Sequence, residues 1–139
     1  MLVVDDDDDL CEIVREWLRD EGYAVATVSN GAAALEMVGT HRPSLILLDL
    51  RMPVMDGWAF AREFRRVAGP AATIVVMSAV ADIAAAAREL GAVDRLAKPF
   101  ALDDLSRCVF RSLNGGPSPA AADGHGAPAR PSGLQPACD

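Results

Sequence analysis

Apolar residues follow two alternating patterns along this chain. Short unbroken runs, such as residues 45–48 and 74–77, end at a polar residue, which is typical of strands buried on both faces of a parallel sheet. Between these runs, apolar residues recur every three or four positions, which is typical of helices packed against a sheet. The alternation predicts an α/β fold in which five strands alternate with five helices.

Turn and cap residues mark the limits of these elements. Strands are predicted over residues 1–5, 23–28, 44–49, 72–78 and 93–97. Helices are predicted from residues 7–9 to Gly22, from Asn30 to about residue 38, from Asp56 onward, over 81–90 and over 101–113. In the first helix, the apolar spacing predicts one buried face formed by Leu10, Ile13, Val14, Trp17 and Leu18.

Composition limits the classes of function. The 139 residues carry a net charge of −7, which argues against direct nucleic-acid binding by this chain. The apolar segments are too short to span a membrane, and three irregularly spaced cysteines without a secretory signal predict a cytoplasmic protein. Beyond residue 113 Gly, Pro and Ala dominate, so residues 1–113 are predicted to form one domain and residues 114–139 a disordered tail or linker.

Polar side chains stand at the carboxyl ends of four predicted strands. Asp5 and Asp6 follow the first strand and Asp49 follows the third, while Ser78 ends the fourth and the only lysine, Lys98, follows the fifth. Ligands of open α/β sheets bind at this edge. Carboxylate oxygens suit Mg²⁺, and a carboxylate can attack phosphorus to form an aspartyl phosphate. The pattern therefore indicates a site for a divalent cation and a phosphoryl group.

These residues lie in motifs that occur together in a known family. An acidic pair follows the first strand, Asp-x-x-Met-Pro-x-Met-Asp-Gly begins at Asp49, Ser-Ala ends the fourth strand, and Lys-Pro-Phe follows the fifth. Through these motifs the chain resembles, over residues 1 to about 113, the receiver domains of bacterial two-component response regulators. The resemblance implies a flavodoxin-like, doubly wound sheet of strand order 2-1-3-4-5 with helices on both faces, and a cis Lys98-Pro99 bond.

The resemblance also implies a role for each polar residue at this edge. Asp49 would be the phosphoacceptor. Mg²⁺ would be bound by Asp6 as the principal carboxylate, by Asp5 beside it, by Asp49, and by the backbone carbonyl of Arg51. Lys98 would pair with a phosphoryl oxygen, or with Asp49 in the absence of one.

A switch that responds to phosphorylation is implied as well. Ser78 would donate its hydroxyl to the phosphoryl group, and the small Ala79 would expose its backbone N–H. Three residues before Lys98, Arg95 replaces the Tyr or Phe that is common in the family, so an inward-moving aromatic ring is missing there. Arg95 is expected to reach outward to a partner or to pair with an acidic neighbour.

The implied partners are proteins. A sensor histidine kinase or a histidine phosphotransfer protein would donate the phosphoryl group, and the fourth helix, fifth strand and fifth helix would form the surface that changes. The output would be contact with a downstream protein or self-dimerisation. The chain is thus interpreted as a signalling domain rather than an enzyme, although it takes part in its own Mg²⁺-dependent phosphotransfer and dephosphorylation.

Three other functions are weighed against this interpretation. A receiver-fold binding module that works without phosphorylation is favoured by Arg95, but leaves the full set of site residues unexplained. A phosphohydrolase with an aspartyl-phosphate nucleophile would need an acid/base Asp where Arg51 stands. A flavodoxin would need a phosphate-binding loop after the first strand, and here that loop is acidic.

Overall fold

The structure is a computed structural model and describes residues 1–68 and 73–114. Its elements are β1 (Leu2–Val4), α1 (Asp8–Asp20), β2 (Ala26–Val28), α2 (Gly31–Thr40), β3 (Leu45–Leu48), α3 (Gly57–Ala68), β4 (Thr73–Ser78), α4 (Ile83–Leu90), β5 (Asp94–Ala97) and α5 (Leu102–Leu113). The predicted tail lies, apart from Asn114, outside the described residues, and its disorder stays a prediction.

The five strands form one parallel sheet in the order β2-β1-β3-β4-β5, which confirms the predicted fold and topology. β1 lies at the centre of the first three strands, with Val4 opposite Val28 on one side and Leu48 on the other. β4 pairs with β3 and with β5, and places Ser78 opposite Ala97. Because β1 and β3 are neighbours, their carboxyl ends meet at the switch point of the sheet, where ligands of this architecture bind.

Helices cover both faces of the sheet, as predicted. α2, α3 and α4 pack over one face in a cluster that includes Val4 and Leu48, whereas α1 and α5 pack over the other face with Val3 and Leu47. Successive residues of β1 and β3 therefore point to opposite clusters. Since both faces are covered, the strands need apolar residues at consecutive positions, and this produces the unbroken runs in the sequence.

The prediction that Ile13 belongs to the core is wrong, because Ile13 is 51% exposed. The buried residues of α1 are Cys11, Val14 and Leu18. Each residue advances about 100° around a helix, so Ile13, one position before Val14, lies off the stripe that these three residues form. The predicted buried face contains Ile13 and omits Cys11, whereas in the structure the smaller Cys11 is buried and Ile13 is exposed.

Two predicted starts differ from the structure by two residues or more. β2 begins at Ala26 rather than at residue 23, because the backbone N–H of Tyr23 still donates to Leu18 O in the last turn of α1 (3.1 Å). α4 begins at Ile83 rather than at residue 81, because Asp82 caps it by accepting from the N–H of Ala85 (3.0 Å). In both places local hydrogen bonds delay the start of the element.

Other helix ends follow the cap residues in the sequence. Asp7 accepts from Leu10 N (3.1 Å) at the start of α1, and Asn30 accepts from Ala33 N (2.8 Å) at the start of α2. Gly91 ends α4 in the left-handed conformation, with φ +71°. None of the described helices is both long enough and apolar enough to cross a membrane.

Candidate functional site

The carboxyl edge of the sheet brings three aspartates together. Asp5 follows β1 and Asp49 follows β3, and one carboxylate oxygen from each of these residues and from Asp6 lies within 4.8 Å of the others. Asp5 and Asp49 are buried, while Asp6 is exposed. The predicted cluster is thus present, with two members inside the protein and one at its surface.

Asp5 is the most enclosed of the three and is already hydrogen-bonded through both carboxylate oxygens. Its Oδ1 accepts from the backbone N–H of Asp7 (3.0 Å), and its Oδ2 accepts from Lys98 Nζ (2.6 Å). Its side chain has no exposed surface. Asp6, which is open to solvent, is therefore better placed than Asp5 to contribute a free carboxylate to a cation.

The aspartate closest to Lys98 is Asp5, whereas the expected partner is Asp49. Its Nζ lies 2.6 Å from Asp5 Oδ2 and 3.7 Å from Asp49 Oδ2, so the ion pair with Asp49 exists but is the longer of the two. The backbone N–H of Lys98 donates to Ser78 O (2.9 Å), which ties the end of β5 to the end of β4. The Lys98-Pro99 peptide bond is cis, in agreement with the expectation.

The electrostatics of Asp49 reflect crowding by like charge. Burial raises the pKa of the Asp49 carboxyl, and the charge of Asp5 raises it further, while Lys98 and the N–H groups of Leu50 and Arg51 oppose this. Burial lowers the pKa of Lys98, but its hydrogen bond and ion pair with Asp5, together with the charges of Asp49 and Asp7, outweigh that effect and leave the pKa raised. Lys98 thus stays charged at neutral pH.

The donor set fits a hard divalent cation. Three carboxylates share a single ammonium group, so the site carries excess negative charge. All the available donors are oxygen atoms, which suits Mg²⁺. A bound divalent cation would offset the repulsion between Asp5 and Asp49.

Gly57 has a steric role that the sequence did not reveal. A Cβ atom at this position would lie 2.3 Å from the backbone oxygen of Asp49, so any larger residue would push the two segments apart. The N–H of Gly57 donates to Leu50 O (3.0 Å). The Asp-Gly pair is a signal for this close approach as well as for the start of α3.

Cys11 is a second residue that the sequence did not connect with the site. Its Sγ donates to the backbone oxygen of Asp5 (3.3 Å). Burial, together with the charges of Asp5, Asp8 and Asp7, raises the pKa of the Cys11 thiol to about 11. Cys11 therefore stays a neutral thiol that supports the turn after β1.

The remaining predicted site residues differ in how exposed they are. Ser78 is buried, and its Oγ accepts from the backbone N–H of Val80 (3.3 Å). Ala79, Arg51 and Arg95 are exposed. The backbone N–H of Arg51 faces Asp49, whereas the metal-binding role of the Arg51 carbonyl stays a prediction. Within the described ranges, Arg95 makes none of the side-chain ion pairs.

Comparison with known proteins agrees with these features. The model of the response regulator receiver domain family matches residues 1–110. The chain is 38% identical over 115 residues to the transcriptional regulatory protein ZraR of Escherichia coli, covering 81% of this chain and 26% of that protein. It is 33% identical to the sporulation initiation phosphotransferase F of Bacillus subtilis, covering 81% of this chain and 92% of that protein. The chain thus spans about a quarter of the first of these relatives and nearly all of the second.

Solved structures agree as well. The receiver domain of NtrX from Brucella abortus has a TM-score of 0.75 at 32% identity, covering 81% of this chain and 97% of that one. A CheY-like receiver domain protein from Methanospirillum hungatei has a TM-score of 0.76 at 22% identity, covering 82% and 92%. At that lower identity the likeness shows the fold alone.

Proposed function

The chain belongs to the response regulator receiver domain family, and from that premise we propose that Asp49 accepts a phosphoryl group in a two-component phosphorelay. The observation that carries the proposal is the environment of Asp49: it is buried beside Asp5, within 4.8 Å of a second and third carboxylate oxygen, and 3.7 Å from Lys98. Such an arrangement raises the energy of the unmodified site and suits a cation and a phosphoryl group together.

Oδ2 of Asp49 is the proposed nucleophilic atom. Oδ1 accepts from the backbone N–H of Leu50 (2.8 Å), so it is held in place, whereas Oδ2 faces Lys98 Nζ. Oδ2 would form the bond to phosphorus while the bond from phosphorus to the donor's histidine nitrogen breaks. The histidine nitrogen of the kinase or phosphotransfer protein is the leaving group.

Mg²⁺ would be held by Asp6 and Asp49, with Asp5 beside them and the Arg51 carbonyl as a further oxygen ligand. When bound, it supplies positive charge between the carboxylates and the phosphoryl oxygens. Lys98 would then neutralise a phosphoryl oxygen by moving a short distance from Asp5. Ser78 Oγ, which now accepts from Val80 N, retains its own hydrogen to donate to the phosphoryl group.

The output proposed for this site is a change in a protein-binding surface. Ser78 and Ala79 join β4 to the segment before α4, and Arg95 lies on the adjacent strand β5. The proposed readers of this surface are a downstream protein or a second copy of the chain. Because Arg95 is exposed and unpaired among the described side chains, it is the proposed polar contact of that surface.

The first experiment is phosphorylation by acetyl phosphate, with and without Mg²⁺, read as intact mass. We expect the full chain to gain one phosphoryl group only with Mg²⁺, and Asp49→Asn to gain none. Asp56→Asn is the matched control, because Asp56 lies in the same loop and only caps α3 through Ala59 N (2.9 Å), a contact that Asn can also make.

A chain that gains no phosphoryl group under these conditions would overturn the proposal. The exposed Arg95, which stands where the family commonly has an aromatic residue, would then favour a binding module that works without phosphorylation. Arg95→Ala would be the variant with which to test partner binding by that module. Gain of a phosphoryl group by Asp49→Asn would instead place the acceptor at another residue.

A further inference from the structure

The two ends of α4 are held in different ways. The first half of the helix is partly exposed, and the segment before it includes the exposed Ala79 and Asp82. The first three residues of α4 are partly buried, and its fully buried residues, Ala86, Ala87 and Leu90, all come later in the helix. Buried side chains of α4 are therefore found from its middle to its carboxyl end, where Arg88 and Glu89 lie on the exposed side.

Arg65 of α3 strengthens this difference. Its Nε donates to Leu90 O (3.1 Å), and its Nη2 donates to Gly91 O (3.0 Å). The last carbonyl groups of a helix have no partner within the helix, and they carry its negative partial charge. A guanidinium fork that binds two of them fixes both the position and the direction of this end.

The carbonyl positions that Arg65 binds depend on Gly91. With φ +71°, Gly91 turns the chain back at the end of the helix, and its N–H donates to Arg88 O (3.1 Å). A Cβ at position 91 would lie 3.3 Å from Arg65 Nη2, so the glycine also leaves room for the guanidinium. The fork and the turn thus fit each other closely.

The other end of α4 connects to the proposed phosphorylation site. Four residues separate Ser78 from Ile83, and the link begins with the hydrogen bond from Val80 N to Ser78 Oγ (3.3 Å). A change in the partner of Ser78 Oγ therefore reaches α4 at its less buried end. The eight residues of α4 form a lever about 12 Å long between this end and Arg65.

We propose that Arg65 is the pivot about which α4 turns when the hydrogen bonding of Ser78 changes. The amino end of α4 is displaced, while the fork on Leu90 and Gly91 keeps the carboxyl end in place. This proposal rests on the proposed function for its physiological trigger, phosphorylation of Asp49. Arg65 is thus a positioning residue that determines which part of α4 presents a changed surface to a partner.

The test compares backbone amide chemical shifts along α4 in the full chain under two perturbations. The first is phosphorylation with acetyl phosphate and Mg²⁺, verified by intact mass in the same sample. The second is Ser78→Ala, which removes the acceptor of Val80 N without any phosphoryl group. In both, we expect shift changes several-fold larger at residues 83–86 than at residues 89–92.

Variants at position 65 test the pivot itself. In Arg65→Gln, the shift changes at residues 89–92 should rise to those at residues 83–86 under both perturbations. Arg65→Lys keeps the charge but can bind only one of the two carbonyls at a time, so an intermediate ratio is expected. Arg66→Gln is the matched control, because among the described residues Arg66 pairs only with Glu63, on the surface (2.7 Å), and this variant should keep the wild-type ratio.

Equal shift changes at both ends of α4 in the wild type would overturn the pivot, as would a wild-type ratio in both Arg65→Gln and Arg65→Lys. If Arg65→Gln does not fold, Arg65→Lys alone decides. Failure to gain a phosphoryl group contradicts the proposed function, but the Ser78→Ala arm still supports or overturns the pivot.

Discussion

Buried charge occurs at both ends of β5, and the two sets of residues differ in their balance. At the amino end, Asp94 is 6% exposed and pairs with Arg111 of α5 (2.6 Å). Just beyond the carboxyl end, Lys98 faces the carboxylates of Asp5 and Asp49. One set has one acid for one base, whereas the other has an excess of acids.

The balanced set has its polar atoms satisfied. Asp94 Oδ2 accepts from Arg111 Nη2 (2.6 Å), and Asp94 Oδ1 accepts from the backbone N–H of Arg95 (2.8 Å). Burial and the nearby Asp94 raise the pKa of the Cys108 thiol to about 12, so this thiol stays neutral. Such a set joins α5 to β5 and leaves no charge for a ligand. The unbalanced set keeps a repulsion between like charges, which a bound cation would offset.

The largest effect is expected from breaking the balanced set. Arg111→Met removes the partner of a buried carboxylate and should lower the free energy of unfolding by about 2 kcal/mol, less than for a fully buried pair because Arg111 is half exposed. Urea unfolding measures this. Arg107→Met is the control, because Arg107 lies one turn earlier on α5 and pairs with Asp104 at the surface. An equal loss in the two variants would show that the Asp94–Arg111 pair is not a structural link.

Removing one charge from the unbalanced set should change the free energy of unfolding in the opposite direction and by a smaller amount. Asp49→Asn removes one of the repelling carboxylates and keeps the shape, so we expect the free energy of unfolding to rise by about 1 kcal/mol at neutral pH. Differential scanning calorimetry in Mg²⁺-free buffer measures this. Asp56→Asn, on the exposed side of the same loop, should leave the stability unchanged. A loss of stability in Asp49→Asn would mean that Asp49 is held by favourable contacts rather than crowded by like charge.

The smallest effect is expected in the pH dependence of the stability difference between the wild type and Asp49→Asn. Because the pKa of Asp49 is raised in the folded protein, the folded state binds a proton more readily than the unfolded chain between that raised pKa and the ordinary value of 3.8. As the pH falls through this window, the wild type should gain stability relative to Asp49→Asn, and the gap between them should close. Urea unfolding of both proteins across this window tests the sign. A gap that widens on acidification would indicate a lowered pKa instead.

Much of the fold follows from local patterns. The unbroken apolar runs predicted β3 and β4 to within one residue of their observed ends at the carboxyl edge, because burial on both faces demands apolar residues throughout. Asn30 and Gly91 marked helix ends because their preferences act within a few residues. One error arose where tertiary packing decided the outcome: the apolar spacing predicts Ile13 in the core, whereas the structure buries Cys11. Another arose from a short-range hydrogen bond, because the backbone N–H of Tyr23, the first predicted residue of β2, donates to Leu18 O in the last turn of α1.

The chain's sequence by itself determined which chemical groups stand at the carboxyl ends of the strands, since the end of each apolar run marks where Asp5, Asp49, Ser78 and Lys98 emerge. Only the tertiary structure decided which of them touch. Lys98 Nζ lies 2.6 Å from Asp5 and 3.7 Å from Asp49, and these distances depend on how β1, β3 and β5 are arranged in the sheet. The fork of Arg65 on the end of α4 arises in the same way. Hydrogen bonds and ion pairs act over a few ångströms in space, and residues far apart in sequence reach that range only when the sheet and its helices have assembled.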